Sequence, residues 1–373
     1  MVGYERIKIN QQRLITTFLN LVKIDSPSGN EGGLIRFLMH TLPVLGIKCK
    51  YDKKMNILGT LPATISDAPS VMLSAHMDSV QPCKRIHPKI VEEVICSSGD
   101  TVLGADSKLG IAIIIEFLRI IKEKKLPHPT FQVVFTVESE RNLRGAKSLD
   151  QKVLTCDMGI VFRSHYPVGT IIHSGPSLEL FTATITGTSA QTALNPNEGV
   201  SAIQVASEAL IHIPVGEIAK KNVCNIGTIQ GGRRPSLIPD SVVITGELRS
   251  HMEKEQEKIL SQILNTFEKA CNKHSAHLDF LNTREFDSFQ VEAKDRVVCC
   301  AQEAFRDLGI EPHLISSYLG SDANIFNGYS IPSIVIGQGI EHMNTVNEKV
   351  SVKSLSTCLE FLLAFNHCIS QSA

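Results

Sequence analysis

Three short polar segments carry side chains with the types and placement needed for metal chemistry. His76 and Asp78 follow an apolar run, and Asp106 precedes a helical pattern. Glu138 and Glu140 follow a second apolar run. Imidazole and carboxylate groups are donors that suit zinc or a similar divalent ion. Ligands of open α/β sheets collect outside the carboxyl ends of strands, so the shared placement favours a metal site over ordinary polar caps.

The spacing of His76 and Asp78 gives these two residues different roles in such a site. On an extended backbone, residues two apart face the same side. The Asp78 carboxylate can therefore hold the imidazole of His76 in one orientation from behind, as the outer partners of metal-bound histidines do. The sequence thus predicts His76 as a ligand and Asp78 as its hydrogen-bond partner.

The elements that position these residues alternate between strand and helix. Residues 71–75 and 131–137 are apolar runs of strand length, and residues 107–123 carry a helical apolar stripe. Buried strands flanked by helices indicate a mostly parallel sheet covered on both faces. The first part of the chain is therefore predicted to be α/β.

The middle of the chain follows another pattern. Strand-like and helical segments there follow an order typical of a small α+β sandwich. The strand-like ones are 178–186, 222–229 and 241–249, and the helical ones are 201–211 and 254–273. From about residue 286 the α/β pattern resumes. We expect a discontinuous α/β domain over 1–175 and 286–373, interrupted by an inserted α+β domain over 176–285.

Composition excludes several functional classes. The 37 Lys+Arg and 38 Asp+Glu residues give a formal charge of -1, Trp is absent and aromatic residues make up 5%, which argues against nucleic-acid binding. The apolar run 109–121 is interrupted by Glu116 and Arg119, so it is too short and too charged for a membrane span. Ten cysteines without a CxxC pair predict reduced thiols in a cytoplasmic protein.

Several segments together resemble one family. They are SAHMDSV, LGADSKLGIA, FTVESE, GAKSLD, PVGTII, EGVSAIQVA, GELRS, GSDANIFNG and TVNEKV. In this order they resemble the peptidase T-like tripeptidases, part of the di-zinc family that includes glutamate carboxypeptidase, aminoacylase and succinyl-diaminopimelate desuccinylase. The resemblance implies a zinc-peptidase-like catalytic domain with an inserted lid domain that forms a homodimer. It also implies two zinc ions that activate a shared water, with a Glu as the base.

Part of the family's site is retained. By resemblance, His76 is a ligand of the first zinc and Asp78 is its hydrogen-bond partner. Asp106 is the carboxylate that bridges both ions, and its peptide bond to Ser107 is expected to be cis. Glu140 matches a ligand of the second zinc, and Arg249 in the lid matches an arginine that holds a substrate carboxylate.

The other family positions have changed. Ser139 replaces the catalytic Glu, Arg163 an Asp ligand, Asn344 a His ligand, Gln191 the lid His and Ser236 the lid Asn. Each zinc keeps two protein ligands, one of them shared, whereas stable sites have three or four. Serine is no base at neutral pH, and arginine places a permanent cation where a metal would sit.

Two functions remain open. The first is a pseudoenzyme that has lost hydrolysis and binds a peptide or a partner protein. In that case Arg163 should replace the missing metal, within hydrogen-bonding range of Asp106 or Glu140. The alternative is an active zinc-dependent amino- or tripeptidase in which His165 and His342 act as displaced ligands, since a two-residue shift keeps the same face. Glu138 is a poorer replacement, because its shift is one residue. The segment GSDANIFNG is expected to be a turn near the site.

Overall fold

The computed structural model describes residues 7–219 and 221–371 of the chain. The chain divides into two compact units. The first comprises Met1–Ser174, Gln290–Ser316 and Ser321–Ala373, and the second comprises Gly175–Phe289 and Ser317–Gly320. The long segment of the second unit begins one residue before the predicted insertion 176–285 and ends four residues after it. The outermost residues of the predicted domains, 1–6 and 372–373, lie outside the described part.

The helices are α1 (Gln11–Val22), α2 (Gly32–Val44), α3 (Ala105–Lys124), α4 (Arg144–Lys147), α5 (Ala202–Leu210), α6 (Glu253–Lys273), α7 (Arg296–Asp307), α8 (Asp322–Gly328) and α9 (Val352–Gln371). The strands are β1 (Lys48–Tyr51), β2 (Ile57–Leu61), β3 (Val71–His76), β4 (Pro88–Val91), β5 (Val94–Ser97), β6 (Phe131–Thr136), β7 (Met158–Val161), β8 (Thr170–Gly175), β9 (Ser177–Thr186), β10 (Gly216–Ala219), β11 (Asn222–Gly231), β12 (Ser241–Ser250), β13 (His277–Phe286), β14 (Phe289–Gln290), β15 (His313–Ser316), β16 (Ser333–Ile336), β17 (Ile340–Glu341) and β18 (Lys349–Ser351).

The main sheet of the first unit has the strand order β1-β2-β6-β3-β7-β16-β8, with β15 beside β8. Its central strands β6, β3, β7 and β16 are parallel, and every residue in them is buried. The prediction of a mostly parallel sheet applies to this centre and to β15, which pairs with β8 in parallel fashion. Strands β1 and β2 pair in antiparallel fashion, as do β2 with β6 and β16 with β8. A smaller sheet, β17-β18-β5-β4, was not predicted, because its strands are short and half-exposed.

The parallel strands place the candidate site residues at one edge of this sheet. His76 ends β3 and pairs in register with Thr136, the last residue of β6. Helix α3 packs against β3, and Gly110 allows it to approach the end of β7. A Cβ at that glycine would lie 2.4 Å from Cβ of Phe162, closer than packed atoms tolerate. The first turn of α3 therefore reaches the carboxyl ends of β3 and β7.

The second unit is an antiparallel sheet of order β10-β11-β12-β9-β13 with two helices, α5 and α6. Strand β12 alternates between more and less buried residues, and its buried side chains join a core with Phe181, Val205 and Phe267. This is the α+β architecture expected from the sequence. In the described part of the chain, no helix combines the length and apolarity needed to cross a bilayer.

Candidate functional site

His76 lies at the end of β3 and is 1% exposed. Its Nδ1 is 3.0 Å from the backbone oxygen of Asp78 and 3.2 Å from Oδ1 of the same residue. Its Nε2 is 3.1 Å from Oδ1 of Asp106. Burial favours the neutral imidazole, but Asp106 and Asp78 outweigh it and raise the pKa of His76 well above its usual value. Both ring nitrogens therefore face acceptors.

The Asp78 carboxylate connects three segments of the chain. It accepts hydrogen bonds from Oγ of Ser28 at 2.6 Å and from the backbone amides of Ser139 and Glu140 at 2.9 and 3.0 Å. Burial opposes its ionisation, yet these donors and His76 lower the pKa of Asp78 below its usual range. Asp78 thus holds both the His76 ring and the turn that follows β6.

Asp106 is the second residue of α3 and has a non-helical conformation, and its peptide bond to Ser107 is cis, as the resemblance implied. Ser107 donates a short hydrogen bond to the backbone oxygen of Phe162. The Asp106 amide donates to Oε1 of Glu348 at 3.2 Å. Oδ2 of Asp106 is buried and has no hydrogen-bond partner in the described part of the chain. The carboxylate is therefore fixed by backbone contacts, and one of its oxygens is unsatisfied.

Arg163 follows β7 and makes the contact expected for it. Its Nη2 donates to Oε1 of Glu140 at 2.9 Å, and its Nη1 donates to Oγ of Ser139 at 2.8 Å. Its Nε lies 3.9 Å from Oδ2 of Asp106, which is beyond hydrogen-bonding distance. Burial disfavours the charge, but Glu140 and Asp106 raise the pKa of Arg163. The guanidinium is thus a permanent cation, and its side chain is 13% exposed.

Asp322 belongs to the site, although the sequence analysis did not single it out. It accepts a hydrogen bond from Thr136 and another from Oγ of Ser139 at 3.2 Å. The segment expected to be a turn is in fact helix α8, which starts with a capping box between Ser321 and Asn324. The spacing of Ser321 and Asn324 was the available signal. Burial raises the pKa of Asp322.

Glu348 is a second site residue that the sequence analysis missed. It is 1% exposed and accepts hydrogen bonds from the amides of Gly104 and Asp106 at 2.7 and 3.2 Å. Burial raises the pKa of Glu348 to about 7. Its segment TVNEKV carried the resemblance, but no pattern in it distinguishes this glutamate from an exposed one.

One group of three residues in the described part of the chain has the geometry of a metal site. One ligand atom each of His76, Asp106 and Glu140 lies within 4.8 Å of the other two. However, the Glu140 oxygen that faces His76 at 3.8 Å is the same Oε1 that accepts from Arg163. Three donors, with one already bound to an arginine, do not match a pair of zinc ions, which needs three or four ligands for each ion.

The residues considered as displaced ligands lie elsewhere. His165 is exposed, its ring centroid is 4.2 Å from that of Tyr166, and it lines a surface pocket of about 470 Å3 together with Glu341 and His342. Neither histidine belongs to the group of three. Glu138 forms an ion pair with Lys54 at 3.0 Å. Asn344 is half-buried and has a positive φ of 65°.

The family positions in the lid all lie in the second unit. Gln191 and Ser236 are exposed, and they occupy neighbouring segments, since the amide of Thr192 donates to the Ser236 oxygen at 3.2 Å. Arg249 on β12 donates to both carboxylate oxygens of Glu247, at 3.0 and 3.2 Å. Its Nη1 also donates to the backbone oxygen of Tyr318 at 3.4 Å, so this guanidinium is engaged within the second unit.

The chain combines a mixed sheet, a buried histidine and carboxylates at the sheet's carboxyl edge, and an α+β insertion, which is the architecture expected of a metallopeptidase-like protein. A family model confirms the class: residues 72–366 match peptidase family M20/M25/M40, and the chain belongs to that family.

Several relatives and solved structures are similar over almost the whole chain. The protein YqjE of Bacillus subtilis is 32% identical over 364 residues, which cover 95% of this chain and 98% of YqjE. A tripeptidase structure from Staphylococcus aureus has a TM-score of 0.95 at 34% identity and covers 97% of this chain and 99% of its own. The aminopeptidase PepT structure from Bacillus cereus has a TM-score of 0.90 at 34% identity, with the same coverage. The peptidase T-like fold expected from the sequence is thereby confirmed.

Proposed function

We propose that this protein is a peptidase T-like homologue that has lost di-zinc peptide hydrolysis and acts by binding a peptide or a partner protein. The observation that carries the proposal is the position of Arg163. Its guanidinium binds Oε1 of Glu140, the oxygen that faces His76. A fixed cation therefore stands in for the metal among the retained ligands.

Electrostatics disfavours a zinc ion directly beside the arginine at this position. Two unit charges about 4 Å apart interact by ~4 kcal/mol at an effective dielectric constant of about 20, so a dication beside a guanidinium is disfavoured by roughly 8 kcal/mol. His76 and Arg163 already supply positive charge to Asp78, Asp106 and Glu140. These two cations offset much of the repulsion among the three carboxylates without a metal.

The position of the family's catalytic base carries no base. The hydroxyl of Ser139 accepts a hydrogen bond from Arg163 and donates one to Asp322. A group that removes a proton from water must be free to accept it. Ser139 instead links a cation to a buried carboxylate, which is a structural role.

The ligand class follows from the relatives. Two structures 34% identical to this chain are named a tripeptidase and an aminopeptidase, and the first name describes a protein that acts on tripeptides. Binding of a short peptide or a peptide-like segment is therefore the retained function that we propose. By resemblance, Arg249 would hold the peptide carboxylate, in competition with Glu247.

We also propose that the protein is a cytoplasmic homodimer paired through the second unit. Its ten cysteines are all free thiols. Large apolar side chains are exposed in the second unit, among them Leu281 at 63% and Ile229 at 52%. Light scattering at micromolar concentration should give the mass of a dimer, and a monomer would contradict this assembly.

The alternative, an active zinc amino- or tripeptidase, is favoured by one observation. Oδ2 of Asp106 is buried without a hydrogen-bond partner in the described part of the chain, and a bound cation would satisfy it. Zinc would then have to displace Arg163 from Glu140 and recruit ligands such as His165 and His342. Those two histidines lie in the surface pocket and not in the group of three.

Elemental analysis and a hydrolysis assay separate the two functions. The protein purified with zinc present should hold less than one equivalent and should not hydrolyse tripeptides. The matched comparison is the triple variant Ser139→Glu, Arg163→Asp, Asn344→His, which restores the family residues and should gain zinc and chelator-sensitive hydrolysis. Two equivalents of zinc and chelator-sensitive hydrolysis in the unchanged protein would overturn the proposal.

A further inference from the structure

A pocket lies at the edge of the main sheet opposite the buried histidine and carboxylates. It is lined by the turn after α2, the end of β2, the last turn of α3 and the segment before β6. Leu61 at the end of β2 pairs with Phe131, the first residue of β6, whereas His76 pairs with Thr136, the last. The pocket is therefore remote from the site of the proposed function. Its volume of about 340 Å3 lies within the range of about 300–1,000 Å3 typical of small-molecule sites.

The interior of this pocket, called here the apolar pocket, is preformed. Its apolar wall residues are Leu45, Leu61, Ile121 and Leu126. The buried ring of His128 is fixed, because its Nδ1 donates to the backbone oxygen of Pro129 at 2.8 Å. A Cβ at Gly46 would have no neighbour within 4 Å outside the adjacent residues, so the space in front of this glycine is open. The apolar pocket can thus receive an apolar group without rearrangement of its walls.

Every ionisable side chain among the described residues that line the apolar pocket is basic. These side chains are Lys122, Lys125 and His128. Both lysines are exposed, so their stems line the wall while their ammonium groups reach the open side. Nζ of Lys122 donates to the backbone oxygen of Val44, at the end of α2, at 2.6 Å. This contact fixes the ammonium group, which has further N–H groups to donate to a ligand.

The end of α3 does not cancel this positive charge. A helix C-terminus carries partial negative charge on its last carbonyl groups. The amide of Leu126 donates to the Ile121 oxygen at 3.1 Å, which satisfies one of these carbonyls. Glu123, the acidic residue of the same turn, forms an ion pair with Arg13 at 2.6 Å. The open side of the apolar pocket is therefore positive, whereas its interior is apolar.

We propose that the apolar pocket binds an aliphatic monocarboxylate. The alkyl chain would occupy the interior, where burial of apolar surface is favourable. The carboxylate would lie between the ammonium groups of Lys122 and Lys125 and accept charge-assisted hydrogen bonds from them. An alcohol of the same length lacks the charge for this pairing, and an alkylammonium ion would be repelled.

Binding to the unchanged protein tests this class of ligand. Hexanoate, octanoate, octanol and octylammonium are titrated while the leucine and isoleucine methyl groups are followed by NMR. We expect octanoate to give saturable shifts at the methyl groups that line the apolar pocket. Each methylene that enters should tighten binding about fourfold, and octanoate should bind at least about tenfold more tightly than octanol. Absence of saturable octanoate binding, shifts confined to other residues, or equally tight binding of octanol or octylammonium would overturn the proposal.

Variants locate the two parts of the ligand. Lys122→Gln and Lys125→Gln should each weaken octanoate binding by roughly tenfold. Lys124→Gln is the matched control, because Lys124 belongs to the same turn but does not line the apolar pocket, and it should change the affinity by less than about twofold. Leu126→Trp should fill the interior and abolish binding, with urea denaturation as the check on its folding. Equal losses for Lys124→Gln and Lys125→Gln, or full affinity in folded Leu126→Trp, would show that the proposal is wrong.

Discussion

Two regions of the first unit contain histidine near carboxylate, and they differ in how their charges are balanced. The buried cluster comprises His76, Asp106, Glu140 and Arg163, and its cations and anions contact one another directly. The surface pocket contains His165 and His342 beside Glu341 and is open to water. The arginine lies in the buried cluster and not in the surface pocket.

Solvent explains this difference. A buried carboxylate without a partner costs several kcal/mol, so a cluster of buried carboxylates needs a cation. Arg163 meets this need with two hydrogen bonds, one to Glu140 and one to Ser139. In the surface pocket water screens every charge, so nothing there requires a partner. The comparison indicates that an arginine pairs with the carboxylates where desolvation demands a cation.

The largest expected effect is that of Arg163→Ala. Breaking a buried ion pair leaves the charge of Glu140 unpaired and should lower the free energy of unfolding by ~3–5 kcal/mol. Urea denaturation measures this loss. Arg163→Lys retains the charge but not the planar fork of the guanidinium, so it should lower the free energy of unfolding by less than Arg163→Ala does.

The matched control for this change is Arg233→Ala. Arg233 is 77% exposed and lies 3.7 Å from Asp240, so its removal should cost at most about 1 kcal/mol. Equal losses for Arg163→Ala and Arg233→Ala would mean that burial does not distinguish the two pairs. The account of the buried cluster would then fail.

The next effect is that of Asp322→Ala. This change removes the acceptor of the Thr136 and Ser139 hydroxyls, both of which are buried. Unsatisfied buried donors cost about 1–3 kcal/mol, and urea denaturation again measures the loss. Asp287→Ala is the control, because that carboxylate is 77% exposed, and its loss should stay within about 1 kcal/mol. If Asp322→Ala left the free energy of unfolding unchanged, the hydrogen bonds that Asp322 accepts from Thr136 and Ser139 would contribute nothing to stability.

Local patterns in the sequence predicted the strands and part of the site, whereas side chains buried by distant parts of the chain were not predicted. Apolar runs predicted β3 and β6, and the resemblance placed His76 and Asp106 together, because the fold fixes where strands end. Asp322 was not predicted as a site residue, because the Gly and Asn content of its segment indicated a turn. A capping box in fact starts a helix there. Glu348 was not predicted as a site residue, because its burial depends on a contact with the backbone of Gly104, 244 residues earlier in the chain.

A smaller effect is expected from Ser139→Glu alone. The new carboxylate would lie beside Arg163 and Asp322, so it would form an ion pair and not a free base. We expect no tripeptide hydrolysis and, from overpacking, a loss of about 1–3 kcal/mol in stability. Ser139→Gln is the uncharged control and should behave in the same way in the assay. Hydrolysis by Ser139→Glu but not by Ser139→Gln would reveal a functional metal site despite Arg163.

The smallest effect on stability is expected for substitutions in the surface pocket, where a contrary result would directly contradict the comparison with the buried cluster. His165→Ala and His342→Ala remove exposed imidazoles that take no part in the group of His76, Asp106 and Glu140. Each should change the free energy of unfolding by no more than about 0.5 kcal/mol and leave the zinc content unchanged. His76→Ala is the matched buried change and should be far more destabilising, because it leaves Asp106 without its partner. If His342→Ala instead removed bound zinc that the unchanged protein retained, the displaced histidines would be ligands and Arg163 would not be the substitute for the metal.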